Sequence, residues 1–116
     1  MDLYHIWCNL RSDVSDLEFC ENVDRYLGEL RATNRISGHR LSRRKLGLGP
    51  SEIGEFHIVI EVEDLAQLDR AFRDVSARTG PVEELHHAVN SMARDVMFAL
   101  YRDFPDPHRE SGDEKF

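Results

Sequence analysis

The chain has 116 residues, 41% hydrophobic and 32% charged, and a formal net charge of −7. This length and balance are typical of a single globular domain with its own hydrophobic core. The negative charge argues against nucleic acid or an anionic membrane as the main partner, because both require a basic footprint.

The two cysteines and the absence of a targeting segment predict a cytoplasmic address. Cys8 and Cys20 fall at apolar positions and outside any metal or redox spacing, which favours free thiols in a reducing compartment. We see no signal peptide before the first predicted strand and no apolar run near the roughly 18 residues of a membrane helix. We therefore expect a soluble cytoplasmic protein.

Residues 3–10 are predicted to form the first strand, because aromatic and β-branched types dominate the segment. Successive strand side chains point to opposite faces of a sheet. The uniformly apolar set, which suits a core, is Tyr4, Ile6, Cys8 and Leu10. The mixed set is Leu3, His5, Trp7 and Asn9. This face is too apolar to be left in water and too polar for an ordinary core. It therefore indicates the floor of a cavity or a subunit interface.

An amphipathic helix is predicted from about Asp16 to about Thr33, opened by Ser15 and Glu18 at the spacing of a capping box. A second strand is predicted over residues 36–46. Its arginines suit a sheet edge, where charge discourages pairing with other chains. Which of its faces points inward is left open. The glycine-rich connection over residues 47–54 lacks the Lys-Ser/Thr end of a phosphate-binding loop.

The third predicted strand, residues 55–62, repeats the division of the first. One face is fully apolar, and the mixed face carries Glu55, His57, Val59 and Glu61. A helix opening at Asp64 is expected to end at Gly80, and a short helix follows from Pro81. Residues 95–104 form a fourth strand that is apolar on both faces, so its inward face is also left open. We expect residues 1–104 to be one domain and residues 105–116 a loosely ordered tail.

The order strand, helix, strand, strand, helix, strand predicts an α+β, ferredoxin-like fold. In this βαββαβ arrangement the first and third strands lie at the centre of a four-stranded antiparallel sheet with helices on one face. The uncovered face would expose Trp7, Leu3 and Val59 together with an apolar strand, more than monomers usually tolerate. A second copy related by a two-fold axis is the simplest cover. We therefore predict a homodimer.

The strand over residues 3–7, the strand over residues 54–60 and the overall plan resemble the dimeric α+β-barrel superfamily, over about residues 1–104. The closest likeness is to its small, uncharacterised bacterial members and its stress-responsive A/B-barrel relatives. The superfamily includes cofactor-free quinol monooxygenases, haem-degrading enzymes, lactone isomerases and members with no known activity. In its oxygenases, pocket residues of Asn, Trp, His and Tyr type do the work. The resemblance implies as counterparts Asn9, Trp7, His5, His57 and Tyr101.

His5 and His57 are the candidate catalytic residues, because they come from neighbouring strands on the same predicted face. They fit a general-base pair, since histidine titrates near neutrality, or a hydrogen-bonded pair in an interface. Glu61 is badly placed to complete a metal site with the two histidines, because it lies roughly 13 Å from His57 along the strand. We predict no metal and no cofactor. The predicted ligand-binding residues are Trp7, Asn9, Val59, Glu61, Tyr101 and Arg40.

Simpler roles exist for several candidates. Asn9 suits a cap of the adjoining turn better than an oxyanion donor, and Arg40 with its basic neighbours suits a solvated edge better than an anion grip. His86 and His87 are expected at the surface.

Two functions remain from different classes. One is a homodimeric protein that binds a small organic molecule on the open face without turnover. The other is a cofactor-independent monooxygenase acting on a phenol or quinol. An RNA-binding sheet is disfavoured by the charge and by the lack of stacking aromatics on both central strands.

Overall fold

The computed structural model describes residues 1–76 and 80–105. Its seven elements, in chain order, are β1 (Asp2–Leu10), α1 (Asp16–Ala32), β2 (Gly38–Arg43), β3 (Phe56–Val62), α2 (Leu65–Ser76), α3 (Gly80–Asn90) and β4 (Ala93–Arg102). Beyond Pro105, the tail predicted for residues 105–116 lies outside the described residues. In the part of the chain that the structure describes, no helix has the length and apolar character needed to cross a membrane.

The four strands form one antiparallel sheet in the order β2-β3-β1-β4. β1 and β3 are therefore the central strands, as predicted, and the ferredoxin-like fold is confirmed. α3 is the extra helix between α2 and β4, where a short helix was expected.

The helix α1 covers the inner face of the sheet and forms the core with it. Ser15 Oγ accepts a hydrogen bond from Glu18 N at 3.3 Å, which is the predicted cap. One stripe of α1, with Phe19 at its start, is buried against the apolar side chains of β1 and β3. The Phe19 and Phe56 rings meet edge to face at 5.3 Å. Both cysteines are free, as predicted, but Cys20 is only half-buried, with its thiol beside Asp24.

Two predicted strand boundaries were wrong. β2 covers only Gly38–Arg43, because the backbone turns at Leu46 and Gly47, which both have positive φ. β4 begins at Ala93, two residues earlier than predicted, and ends at Arg102. Asp95, with φ of 55°, lies at a shift of register between Trp7 and Asn9. This is a β-bulge, which sequence periodicity does not reveal.

Strand pairing settles the two faces that the sequence left open. Directly paired residues in an antiparallel sheet share a face. Trp7 pairs with His57 on one side and with Met97 on the other. The face turned away from the helices, which we call the open face, is therefore completed on β4 by Met97, Ala99 and Tyr101 and on β2 by Gly38, Arg40 and Ser42.

Candidate functional site

The two candidate catalytic histidines are in direct contact at the centre of the open face. His5 Nδ1 and His57 Nε2 are 2.9 Å apart. The register places them diagonally, with His57 opposite Trp7 and His5 opposite Val59. One ring must donate this hydrogen bond and the other accept it, so at least one of the two rings is neutral.

Two further aromatic rings enclose the histidine pair. The Trp7 ring is parallel to that of His57, with centroids 4.7 Å apart, and to that of His5, at 5.5 Å. The Tyr101 ring meets His5 edge-on at 5.0 Å. We call Trp7, His5, His57 and Tyr101 the ring cluster. All of these ring contacts are made within a single chain.

Burial lowers the pKa of His57, and the neighbouring His5 lowers it further. Both causes disfavour the charged ring. His57 is therefore neutral at pH 7, and it can either accept a proton or remain as a hydrogen-bonded neutral ring.

Asn9 links three strands rather than capping the adjoining turn, which corrects that prediction. Its Oδ1 accepts from the backbone N–H of Glu55 at 3.0 Å, and its Nδ2 donates to Asp95 Oδ2 at 3.2 Å. The amide thus holds the start of β3 and the bulge of β4 against the end of β1. Each end of its side chain is already engaged in the single chain.

The remaining predicted ligand-binding residues lie on the open face around the ring cluster. Glu61 lies opposite Leu3 and Gly38, and its carboxylate occupies space above Gly38, where a Cβ would come within 2.9 Å of Oε2. Val59 lies between His5 and the exposed Arg40. Within residues 1–76 and 80–105, no group of three or more His, Cys, Asp and Glu side chains could hold a metal ion.

Arg43 and Arg44, the basic neighbours of Arg40, form contacts that stabilise the fold. Arg43 bonds to Asp16 and Glu55, each at 3.0 Å. Arg44 donates to the carbonyl oxygens of Pro50 at 2.9 Å and Ile53 at 2.6 Å, and so holds the β2–β3 connection to its own chain.

An apolar cavity lies on the opposite side of the sheet. A cavity of about 270 Å³ separates the inner sheet face from the helices, and we call it the helix-side cavity. Its apolar walls include Ile6, Ile58 and Phe98 from the sheet and Phe72 and Val89 from the helices. Its polar lining residues are Tyr4, Tyr26, His86 and Asn90.

The rings of Tyr26 on α1 and His86 on α3 are in contact beside this cavity, with centroids 5.4 Å apart. The Glu83 carboxylate lies 3.9 Å from His86 Nδ1. Burial raises the pKa of Tyr26 to about 12, and the charge of Glu83 and the phenol of Tyr4 add to this. The Tyr26 hydroxyl therefore keeps its proton at neutral pH.

Sequence reasoning missed this contact. It left Tyr26 out and placed His86 at the surface, whereas His86 is half-buried and lines the cavity. The helical pattern contains the signal. Tyr26 follows Val23 by three residues, and His86 follows Val82 by four, so each shares the apolar stripe of its helix.

Solved structures share this fold at low sequence identity. A dimeric ferredoxin-like protein of unknown function from Jannaschia sp. CCS1 is similar over 89% of this chain and 100% of its own, with a TM-score of 0.65 and 14% identity. A mutant of SnoaB, a cofactor-independent oxygenase from Streptomyces nogalater, is similar over 93% and 97%, with a TM-score of 0.66 and 11% identity. The hydroxynitrile lyase of Passiflora edulis is similar over 91% and 97%, with a TM-score of 0.58 and 16% identity.

At these identities the likeness establishes the fold alone, which is ferredoxin-like. No curated protein matches the chain in sequence. A family model does, over residues 1–116, and the chain therefore belongs to the family of unknown function DUF6614.

Proposed function

We propose that this protein is a homodimer formed through the open face of its sheet. The single observation that carries the proposal is the exposure of that face in one chain, where Met97 is 44% and Tyr101 61% accessible beside the half-buried Trp7. Apolar patches of this kind mark interaction sites. A two-fold axis would bury the same patch on both copies. The Jannaschia relative is described as dimeric, in line with this proposal.

We further propose that each subunit binds a small organic molecule. The helix-side cavity supports this better than the open face, because it is formed by one chain alone and has mainly apolar walls with a few polar groups. A pocket on the open face, as the sequence suggested, would need the second chain as its other wall. Arg40 and Glu61 lie on the open face but are not part of the ring cluster. They are therefore the predicted ligand-binding residues best placed to line such a pocket.

A cofactor-independent monooxygenase acting on phenol or quinol substrates is the second candidate. It is favoured by the hydrogen-bonded pair of His5 and His57, since an imidazole that is neutral at pH 7 can take the proton of a substrate hydroxyl. In a monooxygenase of this kind, His5 would hold the ring of His57 in place, and Trp7 would pack against the substrate. Asn9 is less suited to bind an anion, because its amide already holds β3 and β4.

Sedimentation equilibrium and native mass spectrometry of the purified protein test the first proposal. A mass of twice 13.5 kDa supports the dimer, and 13.5 kDa at micromolar concentration overturns it. The same mass spectrum and an absorbance scan would detect a retained ligand.

Oxygen uptake with simple hydroquinones separates the two candidate functions. Loss of uptake in both His57→Ala and His5→Ala, with the dimer preserved, supports the oxygenase. Dissociation of the dimer in these variants assigns the histidines to the interface. The absence of uptake by the unmodified protein would rule the oxygenase out for these substrates.

A further inference from the structure

Two phenol groups, those of Tyr4 and Tyr26, line the helix-side cavity. Tyr4 lies on β1, between Phe72 in edge contact at 5.3 Å and Phe98 stacked at 5.8 Å. Tyr26 faces it from α1. Within the described residues, neither hydroxyl makes a hydrogen bond, although both rings are half-buried. A phenol that has no hydrogen bond within the protein can give its hydrogen bond to a bound molecule, so both hydroxyls are available to a ligand in this cavity.

The two phenols line the same cavity, Tyr4 from the sheet and Tyr26 from α1. A shallower depression adjoins the cavity and shares with it Phe72, Val75, His86 and Asn90. This places the opening of the cavity between α2 and α3. A ligand entering there would pass His86 before its apolar part reaches the sheet.

The charges around this opening favour a neutral ligand. No lysine or arginine of the described residues lines the cavity or the adjoining depression. Glu83 lines the depression, and its carboxylate lies beside His86. An anion would meet this carboxylate and apolar walls with no cation to pair with, and burying an unpaired charge is strongly unfavourable.

The volume limits the size of the ligand. A dry apolar cavity of about 150 Å³ holds one benzene molecule, so about 270 Å³ suits a body of about two fused rings.

We propose that the helix-side cavity binds a neutral, mainly apolar molecule of about two fused rings, whose one hydrogen-bonding group contacts the hydroxyls of Tyr4 and Tyr26 next to His86. The inference rests on the ligand-binding part of the proposed function, and it names the class of ligand and the residues that orient it.

Three probes of the same shape test the inference by titration calorimetry at pH 7: 2-naphthol, 2-methylnaphthalene, which lacks the hydroxyl, and 2-naphthoate, which is an anion. We expect 2-naphthol to bind about three- to tenfold tighter than 2-methylnaphthalene, as one net hydrogen bond provides, and 2-naphthoate to bind weakest. Tyr26→Phe removes one of the two hydroxyls and should weaken this preference, whereas the double variant Tyr4→Phe/Tyr26→Phe should abolish it. Both variants should leave the affinity for 2-methylnaphthalene unchanged.

Two control variants locate the site. Tyr101→Phe makes the same chemical change on the open face and should keep the preference for 2-naphthol. His87→Gln, on the exposed side of α3, should also keep it, whereas His86→Gln should weaken binding of all three probes.

Each of the other outcomes overturns one part of the inference. Equal binding of the two neutral probes removes the phenol contact but leaves an apolar cavity that binds ligands. Tightest binding of 2-naphthoate refutes the neutral class. Loss of the preference in Tyr101→Phe instead of Tyr26→Phe moves the site to the open face. If no probe binds, the ligand-binding part of the proposed function fails together with the inference.

Discussion

At the scale of single residues, the contact between His5 and His57 makes stability depend on pH. An unfolded histidine has a pKa near 6.5, and that of folded His57 is lower. Between these two values the unfolded chain binds more protons, so the stabilisation is fully present above pH 6.5 and is lost as the pH falls through the folded pKa. We expect the urea midpoint to fall between pH 7.5 and pH 5 more steeply than in His57→Gln. A matching slope in His57→Gln would contradict this, and His87→Gln serves as the control with an exposed ring.

Two glycines give a second comparison at the residue scale. A Cβ on Gly54 would lie 2.3 Å from the carbonyl carbon of Cys8, and the atoms it meets belong to backbone that cannot move aside. Gly28, within α1, has open space around the same position. We expect Gly54→Ala to lower the free energy of unfolding by about 1–3 kcal/mol and Gly28→Ala to raise it by about 0.5–1 kcal/mol. Urea titration measures both, and similar effects at the two positions would refute this explanation.

At the scale of elements, Gln67 is the junction between α2 and the entrance to β2. Its backbone N–H donates to Asp64 Oδ1 at 2.8 Å, which caps the start of α2. Its buried side chain does more. Oε1 accepts from the Glu63 N–H at 2.7 Å and from Ser37 Oγ at 3.2 Å, and Nε2 donates to the Asn34 carbonyl at 3.2 Å.

Replacing Gln67 should lower the free energy of unfolding more than removing one of its hydrogen-bond partners. Gln67→Leu keeps the volume but removes the hydrogen-bond partner of the Glu63 N–H, the Asn34 carbonyl and the Ser37 hydroxyl, and we expect a loss of about 2–4 kcal/mol from these three bonds. Ser37→Ala removes a single bond and should cost about 1 kcal/mol. Thermal or urea unfolding measures both losses. Equal losses would mean that the network does not act through Gln67.

The elements also show how far sequence reasoning reaches. α1 and β3 were predicted closely, because one side of each is uniformly apolar and that pattern is local. The inward face of β4 was not, since both of its faces are apolar and only pairing with Trp7 decides between them. The contact of Tyr26 with His86 was missed for the same reason, because it joins two helices 60 residues apart. The bonds of Asn9 to β3 and β4 likewise depend on strands that are distant in sequence.

At the scale of the whole molecule, one side of the sheet is covered by helices and the other by nothing within the described chain. Met97 is the residue best suited to test what covers it. It lies opposite Trp7 on an edge strand and is 44% exposed in a single chain. A glutamate there remains in contact with water in a monomer. In a two-fold dimer, the two copies would place two like charges in or beside an apolar contact, where burial of unpaired charge is costly.

We therefore expect Met97→Glu to sediment as a folded monomer under conditions in which the unmodified protein is a dimer, with far-ultraviolet circular dichroism unchanged. Leu17→Glu is the matched control, because Leu17 is 74% exposed on α1, on the helix side, and the same substitution there should leave the dimer intact. A Met97→Glu protein that remains dimeric would place the contact elsewhere on the molecule. A Leu17→Glu monomer would move it to the helices, and the ring cluster would then be free to face solvent or a ligand instead of a second copy.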